Sequence, residues 1–273
     1  VFMNMKVLND DTLLNYLLNN KCGKSKNNIK SLLKNKCIYV NNKCVTKFDY
    51  KIYKNDVISV KQGRCEVDIL YEDNDLIAVN KEAGLLTISI DNKDTKTLYK
   101  EVSKYVKTKN KNNKVFIVNR LDRDTSGIVL FAKNQEFKYL LQGSWNEIVR
   151  VRKYDAIVHG CLKSDGHIES YLTENKEHIV YSSNNGKKAI TDFKVVKTKD
   201  EFSYIEVYLS TGRKNQIRVH LKEYGYPIVG DRKYGIKDNS KRLMLHASYL
   251  EFLYPKTNKI IKITCVCPFK NFI

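Results

Sequence analysis

Residues 119–127, with the sequence NRLDRDTSG, place two carboxylates, two guanidiniums and two hydroxyls in one short segment. An ionised carboxylate such as Asp122 or Asp124 can act as a nucleophile or take up a proton, so both are candidates for catalysis. β-like runs at 115–118 and 128–131 flank the segment, which predicts a loop held by a scaffold, where functional residues are often found. Alternating opposite charges are equally typical of a salt-bridged surface loop, so the segment by itself leaves both interpretations open.

A second polar segment, residues 210–220 (STGRKNQIRVH), also follows a β-like run and is predicted to be a loop. A partly buried carboxylate needs a positive partner to remain ionised, and Arg218 is a candidate for that partner. His220 and His246 are interpreted as hydrogen-bonded structural residues rather than acid–base groups. Asp231 is interpreted, like Asp124, as a residue that shapes its own loop.

The elements that must position these segments are mostly strands. Helical spacing occurs at irregular intervals between them, which favours an α+β fold with a mixed, largely antiparallel sheet over a doubly wound one. A helix is predicted over 98–106. The predicted strands of this part of the chain cover 69–71, 76–79, 115–118, 128–131, 154–158, 190–196, 204–209 and 260–266.

The first sixty residues predict a separate small module. Asp11 and Thr12 are placed to cap one helix, and Ser25 to cap a second whose Ile29, Leu32 and Leu33 face inward. Two short β-runs joined by the tight turn at 41–42 follow, and 56–60 supplies a further strand. The polar segment 61–68 (KQGRCEVD) is a predicted hinge, which gives domains 1–62 and 63–273.

Charge points to a polyanionic partner. The chain has 49 Lys and Arg residues against 30 Asp and Glu, a formal net charge of +19. So large an excess opposes the compact state and favours nucleic-acid binding, although a lysine-rich codon bias is the alternative explanation. In the first module, the candidate RNA-binding residues are the cations Lys26, Lys30, Lys34 and Lys43.

Cysteine usage and hydropathy exclude several other classes. The seven cysteines form no C-x-x-C pair, and the five histidines are scattered, so neither a disulfide nor a metal site is predicted. No apolar run approaches the length of a membrane span, and the start lacks the layout of a signal peptide. We therefore expect a cytoplasmic protein with no membrane association, and a monomer.

Five segments are informative through their order along the chain: NRLDRDTSGIVLFAKN, VRKYDAIVHG, LSTGRKNQIRVHL, YPIVGDRKYG and RLMLHASYLEFLYP. Together they resemble the successive motifs of the RluA-type pseudouridine synthases, the group that contains RluA, RluC and RluD, over residues 66–270. The segment in front resembles the alpha-L RNA-binding domain, which also occurs in the fourth small-subunit ribosomal protein. That family usually has Arg at the position of Lys26 and Gly near Lys36 and Cys37.

The resemblance implies roles for individual residues. Asp122 corresponds to the catalytic aspartate, Tyr154 to the active-site tyrosine that contacts uracil, and Arg218 to the arginine that pairs with the aspartate. This pairing predicts that Asp122 is ionised at neutral pH. Arg120 corresponds to an arginine that holds the RNA once the uridine is displaced. Without the resemblance, Tyr154 is interpreted as a core strand tyrosine and Arg218 as part of a structural ion pair.

The chain departs from the family pattern at three places, which bear on substrate preference rather than on activity. Asn119 stands where the family commonly has His. Residues 214–215 (KN) replace Thr-His, and residues 81–82 (KE) replace Lys-Pro.

The implied reaction breaks the N1–C1′ bond of a uridine, rotates the uracil and joins C5 to C1′. Nothing is exchanged with solvent except protons, so no cofactor is expected. A carboxylate near C1′ is required, either as a nucleophile or to initiate elimination, and the sequence leaves both routes open. Asp122 or Tyr154 then removes the C5 proton, and the target uridine must leave its stack to reach an enclosed pocket.

The sequence therefore predicts an RNA pseudouridine synthase whose site lies between two halves of a sheet. Large-subunit ribosomal RNA is the favoured substrate, and tRNA is the second choice. The alternative from another class is a non-catalytic RNA-binding or ribosome-assembly protein with the same fold. A base deaminase is disfavoured because the H-x-E…P-C-x-x-C zinc signature is missing from the sequence.

Overall fold

The computed structural model describes residues 3–20, 26–34, 37–41, 43–60, 67–89 and 96–273. The chain divides into two units, Val1–Glu66 and Val67–Ile273. Ser25, one residue of the 41–42 turn and most of the predicted hinge lie outside the described residues. Within the described ranges, no helix is both long enough and apolar enough to cross a membrane.

The first unit contains two short helices and short strands around its own core. Its elements are β1 (Met3–Lys6), β2 (Asp11–Thr12), α1 (Leu13–Asn19), α2 (Lys26–Lys34), β3 (Ile38–Val40), β4 (Lys43–Cys44), β5 (Lys51–Ile52) and β6 (Val57–Val60). One antiparallel sheet has the order β1-β6-β3-β4, and β2 pairs with β5.

Packing in the first unit follows the helical spacing of its sequence. Ile29 and Leu33 are buried and Leu32 is half-buried, which confirms the inward face predicted for the second helix. Thr12 precedes α1 as its N-cap, but its side chain makes no capping hydrogen bond. Asp11 Oδ1 instead accepts a hydrogen bond from the Thr12 amide at 2.6 Å.

The second unit is built on one large sheet with helices beside it. Its elements are β7 (Asp68–Glu72), β8 (Leu76–Lys81), α3 (Leu98–Lys109), β9 (Phe116–Ile117), β10 (Ser126–Ala132), α4 (Gln135–Gly143), α5 (Trp145–Ile148), β11 (Val149–His159), β12 (Gly166–Glu174), β13 (Val180–Ser182), β14 (Lys187–Lys199), β15 (Phe202–Leu209), α6 (Gln216–Glu223), β16 (Leu245–Leu253) and β17 (Ile260–Thr264).

The sheet order among the described strands is β13-β12-β14-β15-β11-β16-β10-β8-β7, with β17 paired to β16 and β9 to β10. Within this sheet β10 and β16 run parallel, and the other described pairs are antiparallel. This arrangement confirms the predicted α+β class with a mixed, largely antiparallel sheet. It also adds elements for which the sequence made no prediction, notably α4, β12, β13 and β16.

One element differs from its prediction in a way that matters for the site. The segment 210–220 is a loop only as far as Asn215, and Arg218 and His220 lie on α6. All residues from Gln216 to Leu221 are buried, polar ones included. The segment therefore lacks the polar outer face by which a surface helix is recognised in a sequence.

The two halves of the sheet meet where β10 runs beside β16. Gly127 pairs with Ala247 there, with a φ of +114°, and a Cβ on Gly127 would lie 2.2 Å from the Ala247 carbonyl oxygen. Only glycine allows this approach. Because Gly127 is the second residue after the 119–125 loop, the close strand pairing brings that loop to the middle of the sheet.

Candidate active site

The loop that carries Asp122 is held by hydrogen bonds to the segment after β8. Leu121 is buried, and Thr87 Oγ1 donates to the Leu121 carbonyl oxygen at 2.9 Å. The Leu121 amide donates back to the same hydroxyl at 3.3 Å. The Gly84 amide donates to the Arg123 carbonyl oxygen at 2.9 Å. These contacts place the Asp122 side chain between two anchored residues.

Lys81 is a buried cation beneath the same loop. Its Nζ donates to three backbone carbonyls, those of Glu82 at 3.0 Å, Leu85 at 2.7 Å and Arg123 at 2.8 Å. Burial lowers the pKa of Lys81 to about 8, while Asp124 and Asp122 act in the opposite direction. The sequence reasoning assigned no role to Lys81. The signal in the sequence was the position of this lysine two residues after the apolar run 76–79, at the end of β8.

Arg218 reaches the site from the first turns of α6. Its Nε and Nη2 donate to the two carboxylate oxygens of Asp231 at 2.8 and 2.7 Å, and its Nη1 donates to Asn215 Oδ1 at 3.2 Å. Asp122 Oδ2 lies 3.6 Å from the same Nη1. The side chains of Arg218 and Asp231 are 7% and 1% exposed. The predicted contact between Arg218 and Asp122 is present, but the bidentate pair is formed with Asp231.

Asp231 has a larger role than shaping its loop. Its Oδ1 accepts from the amides of Lys233 at 2.9 Å and Tyr234 at 3.0 Å, as a loop-shaping residue would. Despite its burial, hydrogen bonds from Arg218 and that arginine's charge lower the pKa of Asp231. The Tyr234 ring packs against the guanidinium of Arg218, 5.1 Å from its Cζ. Arg218 therefore has a fixed orientation that does not depend on Asp122.

This division of partners changes the expectation for Asp122. Its side chain is 31% exposed, and burial raises its pKa above the usual range, although Arg218 and Lys81 act to lower it. Pairing with Arg218 therefore does not produce a net lowering of the Asp122 pKa, and ionisation of this carboxylate at neutral pH stays a prediction. The reason is that the burial of Asp122 outweighs the opposing charges of Arg218 and Lys81.

Tyr154 stands on β11 beside this pair. A register shift between Lys153 and Tyr154 marks an irregularity where β11 pairs with β16. The half-buried Tyr154 ring packs against the cores of both halves of the sheet. Burial raises its pKa to about 12, with Asp122 adding to the shift and Arg152 opposing it. The phenol is consequently protonated at neutral pH.

A cleft of about 630 Å³ opens over these residues. A smaller extension of about 110 Å³ lies between Asp122, Tyr154 and Arg218. Among the described residues that line both spaces, Asp122 is the acidic one. The cationic lining residues of the cleft and its extension are Arg120, Arg123, Arg152, Arg213, Lys214 and Arg218. A carboxylate at the base of a cationic cleft matches the requirements of chemistry on a polyanion.

The predicted site residues thus fall into two groups. Asp122, Tyr154, Arg218 and the exposed Arg120 line the same space. Lys26, Lys30 and Lys43 belong to the first unit and are exposed there. Lys30 Nζ lies 5.4 Å from the centre of the Phe48 ring. Lys34 lies on α2, and its side chain is outside the described part of the structure.

The two histidines have structural surroundings. His220 Nδ1 is 2.9 Å from Thr191 Oγ1, and its Nε2 is 2.9 Å from Ser170 Oγ. His246 Nδ1 is 2.8 Å from Ser126 Oγ, directly after the Asp122 loop. Burial lowers the pKa of His246 to about 4, so its ring is neutral. Both contacts agree with the structural interpretation.

The potential metal ligands are dispersed. Among the described residues, no group of three or more His, Cys, Asp or Glu side chains is arranged to hold a metal ion. Cys265 and Cys267 follow the end of β17 at Thr264, so this strand ends two residues earlier than the predicted strand 260–266. Both are buried, which raises their pKa values to about 12 and about 11 and keeps the thiols protonated.

The sequence of the part of the chain that forms the cleft matches a known protein family. The family model described as RNA pseudouridylate synthase matches residues 75–223, a range that includes Asp122, Tyr154 and Arg218. The chain belongs to this family of RNA-modifying isomerases. The membership expected from the ordered motifs is confirmed.

Individual relatives agree with the family assignment. The uncharacterized RNA pseudouridine synthase YlyB of Bacillus subtilis is 32% identical, over 89% of this chain and 86% of that protein. The ribosomal large subunit pseudouridine synthase C of Rickettsia felis is 36% identical over 74% and 68%, respectively. The tRNA pseudouridine synthase C of Haemophilus ducreyi is 35% identical over 74% and 91%.

A solved structure shares the fold. Human RNA pseudouridylate synthase domain containing 1 superposes with a TM-score of 0.63 and 26% sequence identity, covering 77% of this chain and 87% of that one. The chain is thus similar to a pseudouridylate synthase domain in fold as well as in sequence.

Proposed function

We propose that this pseudouridine synthase modifies uridines of large-subunit ribosomal RNA and uses Asp122 as its catalytic carboxylate. One observation supports the choice of Asp122 as the catalytic carboxylate. Among the described acidic side chains, Asp122 is the one that lines the cleft and its inner extension. Its neighbour Asp124 does not line either space, and Asp231 is engaged by Arg218.

The proposed reaction begins when the uridine leaves its stack and enters the inner extension, at a cost of a few kcal/mol. The Asp122 carboxylate then acts at C1′, either by attack or by promoting elimination. The N1–C1′ bond breaks, the uracil rotates, and a C5–C1′ bond forms. The proton on C5 is lost and N1 gains one, so substrate and product have the same composition.

Tyr154 acts in this proposal as a protonated group that contacts the uracil. A phenol with a pKa raised to about 12 is a hydrogen-bond donor rather than a base at neutral pH. This supports a role in holding the ring and assigns removal of the C5 proton to the Asp122 carboxylate. A carboxyl group with a raised pKa is a better proton acceptor than an ordinary one.

The two arginines have separate parts. Arg218, fixed by Asp231, stabilises negative charge on Asp122 and on the uracil during the reaction. Arg120 is exposed and lines the cleft, where a long planar cation can hold the RNA after the uridine is displaced. Neither role requires a group from outside the chain.

The preference for ribosomal RNA rests on the relatives and on the first unit. The named ribosomal and tRNA enzymes both match 74% of this chain. The match covers 91% of the tRNA enzyme but 68% of the ribosomal enzyme, so the ribosomal enzyme has the larger part outside the match. An additional basic module resembling the alpha-L domain is the feature that favours the larger RNA.

The carboxylate assignment is tested by Asp122→Asn with RNA tritiated at uridine C5. An amide is a poor nucleophile and cannot carry the charge, so tritium release should be undetectable. The side chain keeps its size, so the variant should fold and bind RNA. Asp124→Asn, a matched change in the same loop, should retain substantial release. The reverse pattern would show that Asp124 is the catalytic group.

The substrate assignment is tested by mapping pseudouridines in cells with and without the gene. Loss of modification at positions in large-subunit ribosomal RNA is expected. Loss confined to tRNA would contradict the choice of RNA and leave the chemistry intact. No loss in any RNA, together with no tritium release by the wild-type protein, would favour the non-catalytic alternative.

A further inference from the structure

A second cavity, of about 440 Å³, adjoins the cleft. Arg123 lines both spaces and therefore marks the point where they meet. Among the described residues, the cations Arg232, Lys241 and Arg242 also line the cavity, against the single carboxylate of Asp124. The cavity is thus strongly positive and begins one residue beyond Asp122.

The described structure gives these four cations no acidic partner. Elsewhere in the unit, cations pair closely with carboxylates, as Lys153 does with Glu206 at 2.6 Å and Lys256 with Asp75 at 2.7 Å. Among the described side chains, none of the four cavity cations forms such an ion pair. Four cations against one carboxylate in a concave space leave an excess of positive charge, which favours an anion from outside the chain.

Two of the cations are held in place by neutral partners. Arg242 Nη2 donates to Ser126 Oγ at 2.6 Å, its Nε donates to the Leu243 carbonyl oxygen at 3.2 Å, and its guanidinium lies over the Phe269 ring. Arg123 Nε donates to the Gly84 carbonyl oxygen at 3.2 Å. A guanidinium has five N–H donors, so each keeps donors free for a bidentate contact with an anion.

The wall of the cavity depends on a close backbone approach. Gly230 has a φ of +76°, and a Cβ there would lie 1.9 Å from the Arg242 carbonyl oxygen. The backbone at Gly230 therefore packs directly against the residue that supplies the best-anchored cation. The cavity wall is consequently formed by close packing within the folded unit, and this packing holds its cations around one concave space.

We propose that this cavity binds a backbone phosphate of the substrate RNA, beside the uridine that enters at Asp122. The inference rests on the proposed function and adds to it a subsite for the strand next to the target. A phosphate is the anion that RNA presents on both sides of every nucleotide, and arginine forks match its oxygens. Arg123 then spans the uridine site and the phosphate site.

The test uses the double variant Arg232→Gln, Lys241→Gln in the full chain. Both residues are exposed, and neither lines the cleft. The probe is an in vitro transcript of large-subunit ribosomal RNA, bound at several salt concentrations. If the variant neutralises one phosphate fewer, the slope of log affinity against log salt should fall by about 0.7 to 0.9. In tritium release, KM should rise by about tenfold while kcat stays within about twofold.

The matched control is Lys163→Gln, Lys199→Gln, which removes two exposed lysines that line neither space. Its slope and KM should stay close to those of the wild type. A cavity variant with the same slope as this control, or with a lower kcat at unchanged KM, would overturn the phosphate subsite. If the double variant unfolds, the single change Lys241→Gln gives the same comparison with a smaller shift.

Failure of this inference is distinguishable from failure of the proposed function. If the wild type releases no tritium from any RNA, the catalytic proposal fails, but the salt slopes still decide whether the cavity binds phosphate. If the wild type is active and the slopes are equal, only the subsite is refuted. The subsite would also be contradicted if the slope were reduced but the cavity bound an acidic protein more tightly than RNA.

Discussion

The first unit and the cleft both carry cationic side chains, but those of the first unit are exposed, whereas two at the cleft are buried. Lys26, Lys30 and Lys43 are exposed on a small module. At the cleft, Lys81 and Arg218 are buried, and each is held by three or more hydrogen bonds. An exposed cation interacts mainly through its net charge, whereas a buried one depends on specific partners.

This difference shows how each region can contribute to the activity. Exposed lysines attract a polyanion additively, and each can be replaced at a modest cost. Buried charges depend on their specific partners, and removing one partner leaves the other without compensation. Changes at the cleft should therefore affect stability and kcat, while changes in the first unit should affect RNA affinity.

Among the substitutions that test this difference between the two regions, Asp231→Asn is expected to have the largest effect on stability. The amide keeps an oxygen for the backbone donors of its loop but removes the charge that compensates Arg218. The free energy of unfolding should fall by about 3 to 5 kcal/mol, measured by urea denaturation. As a control, Glu206→Gln removes a half-buried partner of Lys153 and should cost about 0 to 1 kcal/mol.

Asp231→Asn also changes what Arg218 can do for Asp122. With its main partner neutral, Arg218 acts more strongly on the Asp122 carboxylate and should lower the pKa of that group. The acid limb of the pH–activity profile should therefore move to lower pH in any active Asp231→Asn protein. A limb that stays in place would show that Asp231 does not set the charge on Asp122.

The pH dependence of the wild type gives the next prediction. Because burial raises the pKa of Asp122, activity should fall with decreasing pH at values above the ordinary aspartate range of about 4. A raised carboxyl pKa also means that the fold loses stability as pH rises from the ordinary aspartate pKa to the raised pKa of the folded state. Asp122→Asn should thus be inactive yet more stable than the wild type at neutral pH.

That stability difference should disappear in acid, where Asp122 is protonated in both the folded and the unfolded state. Urea denaturation of the two proteins at neutral and acid pH measures it directly. An acid limb at or below the ordinary range, or an Asn variant less stable than the wild type at neutral pH, would contradict the raised pKa.

The smallest effect is expected in the first unit. Lys30→Gln with Lys43→Gln should reduce the salt slope of RNA binding by about 0.7 to 0.9 for each phosphate that these lysines neutralise. Neither kcat nor the free energy of unfolding should change measurably. The charge-preserving pair Lys30→Arg with Lys43→Arg should keep the wild-type slope. An equal reduction in both pairs would indicate that these lysines act by shape rather than by charge.

Sequence alone determined much of this protein. β-like runs with helical spacing at irregular intervals between them predicted the α+β class, and ordered motifs predicted the family. Short polar segments singled out Asp122 and Arg218, the family resemblance singled out Tyr154, and the fold brings all three to one cleft. These features could be read because each lies within a few consecutive residues, so that the pattern is visible without knowing what packs against it.

Tertiary structure decided the partners of the buried charges. Lys81 binds the Arg123 carbonyl 42 residues away, and Arg218 is oriented by Asp231 on the loop after its helix. The sequence pattern also did not predict that Arg218 lies on the buried part of a helix rather than on a loop. Because the pKa of Asp122 depends on the balance between burial and these distant charges, even its direction of shift follows only from the folded chain.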